Sequence, residues 1–115
     1  MKLNLDYVFK EFDGTEVVAD GKPYTLKDYF IRILGSSPRK KEVDSIHAYE
    51  LGLQMTKCEE GLLPIQKRDV TFLRTIIKEN VTTIAAVIYG QINDEFERLD
   101  AEYRKSSQAE EAKSE

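Results

Sequence analysis

The apolar residues of this chain change their spacing once, and that change limits the fold more than any other feature. At the N-terminus Leu3, Leu5, Tyr7 and Phe9 alternate with Asn4, Asp6, Val8 and Lys10, the period of two expected of a half-buried strand. From Leu26 onward the apolar residues recur every three or four positions, the period of an amphipathic helix. Strands that precede a run of helices predict an α+β fold with the β structure gathered at the N-terminus.

Turn chemistry sets the boundaries. Asp13-Gly14 tolerates the positive φ of a hairpin turn, and Thr15 to Ala19, with Val17 and Val18, reads as the return strand. A β-hairpin is therefore expected over about 3–19. Asp20-Gly21-Lys22-Pro23 reads as a second turn. Thr25 is positioned as a helix N-cap with Asp28 at the third helical position, and Leu26, Tyr29, Phe30, Ile33 and Leu34 share a face. That helix is expected over about 26–34, with Gly35 as its C-cap.

Ser37 and Pro38 then suit a cap and first turn, which starts a second helix over about 38–58. Val43, Ile46, Tyr49 and Leu53 are expected to line its core side, widened by Leu51 and Met55. Gly52 either admits a neighbouring helix or is tolerated. Leu62-Leu63-Pro64-Ile65 suggests a short third strand near 62–65, at an edge because Pro64 has no N–H to donate. A third helix is expected over 67–79, with Val70, Leu73, Ile76 and Ile77 inward and Phe72 beside them. The fourth, about 83–104, carries Ile84, Val87, Ile88, Ile92, Phe96, Leu99 and Tyr103 at helical spacing. Such a helix is about 33 Å long, so its second half is expected to project beyond the core. Residues 1–104 are read as one α+β domain. Residues 105–115 lack apolar side chains larger than alanine and read as a disordered charged tail.

Composition narrows the function classes. The chain has 115 residues, 41% hydrophobic and 33% charged, with a net charge of −4. An acidic chain gains little from the field of a nucleic acid. MKLNLDYVFK has no apolar core of the kind a signal peptide needs, and no apolar run approaches a membrane span, so the cytoplasm is the expected location. One Cys and one His exclude a thiolate–imidazole metal set, and the scattered glycines build no phosphate loop, so no cofactor is expected.

His47 lies near Asp44 and Glu50 but has no nucleophile placed to use it, and Cys58 at a helix C-terminus is poorly placed to form a thiolate. Asp94, Glu95, Glu97 and Asp100 read as a solvated face, partly balanced by Arg98. The reading is thus of a protein that is not an enzyme and acts by binding.

Two surfaces compete for that role. Ile92, Phe96, Leu99 and Tyr103 continue the apolar stripe past what a small core needs, a candidate contact for a protein partner or for a second copy of the chain. Arg32, Arg39, Lys40 and Lys41 form a basic tip at a helix N-terminus, where cations oppose the dipole. Such a tip suits an acidic protein patch or a phosphate backbone.

The opening LDYVFKEFDGTEVVADGKPYTL, followed by helices and by GLLPIQ, DVTFLRTIIKEN and TTIAAVIYGQINDEFE, resembles short uncharacterised proteins common in bacteriophage and prophage genomes. The likeness spans roughly 3–96 and carries no functional residues with it. It implies a phage-type accessory protein without enzymatic activity. Steric inhibition of a host defence or transcription protein is the first expectation. Binding another phage protein as an assembly factor or chaperone is the second, and nucleic-acid binding through the basic tip is the last.

Overall fold

A computed structural model describes residues 1–36, 41–80 and 84–114, with 106–114 as backbone alone. The order of elements is β1 (Lys2–Asn4), β2 (Val18–Ala19), β3 (Lys22–Pro23), α1 (Leu26–Ser36), α2 (Glu42–Lys57), β4 (Leu62–Pro64), α3 (Lys67–Glu79) and α4 (Ala86–Ser114). The fold is α+β, with two small antiparallel sheets, β1–β4 and β2–β3, and four helices. The chain divides into two compact units, one of Met1–Leu3 with Pro64–Glu115, the other of Asn4–Leu63.

In the Asn4–Leu63 unit, the expected hairpin over 3–19 is divided differently. Regular pairing forms around Asp20-Gly21, with Val18 opposite Pro23 and Ala19 opposite Lys22. Asp20 and Gly21 both have positive φ, 53° and 77°, which matches the twist of the flanking strands in a two-residue loop. Pro23 is therefore a strand residue, not a turn residue. The Asp13-Gly14 segment does reverse the chain, with the Glu11 N–H donating to the Thr15 carbonyl at 2.8 Å. Only the isolated bridge Lys10–Glu16 forms beside it. Phe9 ties the strands together, its N–H donating to the Tyr24 carbonyl and its carbonyl accepting from the Val17 N–H.

α1 begins as its sequence suggests. The Thr25 hydroxyl accepts the Asp28 N–H at 3.2 Å and the Asp28 carboxylate accepts the Thr25 N–H at 3.3 Å, a reciprocal cap. Gly35 does not end the helix, which continues to Ser36, where the hydroxyl donates back to the Arg32 carbonyl at 2.7 Å. α1 packs on α2, and Lys27 donates to the Cys58 carbonyl at 3.1 Å. The expected cap at Ser37 and Pro38 lies outside the described residues. The core of this unit is Leu5, Phe9, Leu26, Phe30, Ile33, Leu34, Ala48, Leu51, Met55 and Leu63.

In the other unit, the Ile65 N–H donates to the Met1 carbonyl at 3.0 Å, in line with the expected strand near 62–65 and with β1 as its partner. α3 opens with a capping box between Gln66 and Asp69 and packs on α4. Leu3, Ile65, Val70, Leu73, Ile76, Ile77, Ile92, Phe96 and Leu99 are buried. α4 extends ten residues past the expected end at Arg104, through a stretch rich in the helix formers Ala, Glu, Gln and Lys.

Candidate protein-contact face

α2 is apolar on two opposite sides. Ala48, Leu51 and Met55 face inward and are at most 4% exposed. Val43, Ile46, Tyr49 and Leu53 face outward, 67%, 49%, 67% and 38% exposed. The spacing set Val43, Ile46, Tyr49 and Leu53 on the apolar side with Leu51 and Met55 widening it; only Leu51 and Met55 of these are buried, joined by Ala48, and the other four face outward. Both sets recur at helical spacing, and only one can meet α1. Among the described residues nothing lies within 4 Å of where a Gly52 Cβ would stand, so this glycine is tolerated and does not seat a helix.

The same unit exposes a second apolar feature. Phe12 is 90% exposed on the turn between Glu11 and Thr15. The Asp13 carboxylate fixes that turn by accepting the Thr15 N–H at 2.9 Å and the Thr15 hydroxyl at 2.6 Å. These bonds hold the Asp13 carboxyl below its ordinary value of 3.8. Gly14, at φ 89°, supplies the left-handed position that the loop needs. Val18, on β2, is also exposed.

The sequence placed its contact stripe on α4 instead. Ile92, Phe96 and Leu99 are buried, so the stripe is used by the fold itself. Tyr103 alone remains exposed, with the Lys67 ammonium 4.9 Å from its ring centre. The acidic face of α4 is partly engaged too. Asp100 pairs with Arg74 at 2.6 Å, and Arg98 reaches Glu95, Glu102 and the Lys2 carbonyl. Of the basic tip, Arg32 and Lys41 are exposed, while Arg39 and Lys40 lie outside the described residues. His47 and Cys58 are half-buried.

A cleft of about 150 Å³ beside α3 and α4 is lined by Arg74, Ile77, Lys78, Tyr89, Asn93 and Phe96. Its most directional cation, Arg74, is committed to Asp100 and to the Phe96 ring, 5.3 Å away. Among the described residues no three of His, Cys, Asp and Glu gather as a metal set, and no helix is long and apolar enough to cross a membrane.

The α2 face was readable as an ambiguity. Seven apolar residues at helical spacing, Val43, Ile46, Ala48, Tyr49, Leu51, Leu53 and Met55, are more than one buried stripe needs. Phe12, flanked by Glu11 and Asp13, had no periodic partner to reveal it. No family model, no curated protein and no solved structure matches this chain.

Proposed function

We propose that this chain acts by binding another protein, as a phage-type accessory protein that obstructs a host defence or transcription protein in the bacterial cytoplasm. The observation that carries the reading is the display of apolar side chains by the Asn4–Leu63 unit: the outer face of α2 together with Phe12 on its fixed turn. Large exposed apolar residues grouped on one helix face favour a contact surface over a merely solvated one. Because its turn is already ordered, placing the Phe12 side chain in a partner's pocket costs little further backbone entropy. The phage-type origin rests on the resemblance of the opening segment, and the obstruction of a host protein is the role such a surface serves without any chemistry of its own.

The test uses the full chain as bait in bacterial lysate, beside a chain carrying Phe12→Ser. The expected result is a partner held in stoichiometric amount by the first and lost by the second. The complex should re-form from purified components and reduce the partner's activity. Equal capture by both chains, or no stoichiometric partner, removes the reading.

A further inference from the structure

We infer that the outer face of α2 pairs with the same face of a second copy of this chain, the two helices running antiparallel about a two-fold axis beside Tyr49 and Glu50. This rests on reading α2 as a protein-contact face and goes further by naming what covers it.

The argument is one of self-complementarity. Glu42, Ile46, Tyr49, Leu53 and Lys57 follow one another at spacings of four, three, four and four. At 100° per residue they fall within an arc of about 80°, a narrow seam of the kind that packs against another helix. All five are exposed. The seam is apolar in the middle, acidic at its N-terminal end and basic at its C-terminal end.

Laid antiparallel on itself, the seam sets Ile46 against the Leu53 of the other copy. It also sets Glu42 against Lys57, at both ends by symmetry. Laid parallel, it sets Glu42 against Glu42 and Lys57 against Lys57, which repel. An acid in the first turn and a base in the last also suit the dipole of a single helix. The dipole, however, does not require either residue to lie in line with the exposed apolar stripe. An antiparallel pair adds a favourable opposition of the two dipoles. With only one helix face contributed by each copy, the contact falls in the small class of interfaces and should be weak, in the micromolar range.

Sedimentation of the full chain from low to high micromolar concentration tests this. The wild-type chain should shift from monomer to dimer. Ile46→Asp should remain monomeric, with an unchanged circular dichroism spectrum because the side chain is not part of the core; Tyr49→Lys serves as the second variant. Glu42→Lys and Lys57→Glu should each weaken association roughly tenfold, and the two together should restore it. In a parallel pair the single reversals would leave like charges opposed and change nothing.

A wild-type chain that stays monomeric, a dimer indifferent to Ile46→Asp and Tyr49→Lys, or a double reversal that fails to restore association would each overturn the pairing. A monomer that still holds a protein partner through Phe12 would sink the pairing and leave the binding role standing. A dimer that captures no partner would do the reverse.

Discussion

At the scale of single residues, the turn at Glu11–Thr15 shows how a local bond presents a side chain. Asp13 accepts two bonds from Thr15, and both are stronger to its charged form. Its carboxyl is accordingly lowered from 3.8, so its contribution is fully present above that pH and is lost as pH falls through the lower folded value. Acidification below about pH 4 should loosen this turn. Amide exchange at Thr15, corrected for the intrinsic rate, would reveal this, and Asp13→Ala should abolish the dependence. Tyr29 behaves in the opposite sense. Burial, then the neighbouring Tyr24, push its phenol up to about 12, against a smaller opposing effect of Arg32. Its contribution is intact below pH 10 and is lost as pH rises toward 12. In an ultraviolet titration, Tyr29→Phe should remove a component that ionises near pH 12. Gly61 is constrained differently, by φ 79° and by the Asp6 carboxylate lying where a Cβ would stand. Gly61→Ala should therefore cost about 1–3 kcal/mol in denaturant unfolding.

At the scale of elements, α2 is the informative case, because its two apolar faces make a direct comparison possible. Leu51→Ala removes a side chain that is 2% exposed and should cost about 3 kcal/mol. Ile46→Ala, at 49% exposure, should cost less than about 1 kcal/mol. Equal losses in chemical denaturation would mean that the outward face is packed after all. The same helix marks the limit of what its sequence reveals. α1 was legible because Thr25 and Asp28 cap it and one stripe is apolar; α3 was legible because its apolar residues form a single face. For α2 periodicity established a helix but not its orientation, since burial is decided by what α1 offers and not by α2 alone. The β structure was legible as β but not in its pairing. Asp13-Gly14 and Asp20-Gly21 are both competent to turn, and only the second has two left-handed residues in succession. On α4 the stripe was read correctly as apolar, but its burial depended on how closely α3 packs against it, which spacing does not encode.

At the scale of the whole molecule, the unit that contains α3 and α4 is not continuous in sequence. It takes its first three residues, Met1–Leu3, from the other end of the chain. Those residues do three things there. Leu3 is fully buried, the Met1 carbonyl accepts the Ile65 N–H at 3.0 Å, and the Lys2 carbonyl accepts a 2.7 Å bond from Arg98. The Arg98 guanidinium is itself held by Glu95 and Glu102 on the same helix, so the bond to Lys2 draws on a pre-oriented donor. The beginning of the chain should therefore stabilise helices that follow it by more than sixty positions. Leu3→Ala is expected to cost about 3 kcal/mol, appearing as faster amide exchange in α3 and α4. Arg98→Met should cost less, about 1–2 kcal/mol, because the side chain is about half exposed and, of the guanidinium's bonds, the one to the Lys2 carbonyl joins the two segments. If Leu3→Ala leaves exchange in α3 and α4 unchanged, the N-terminal residues do not belong to that unit, and residues 64–115 must hold their helices together without them.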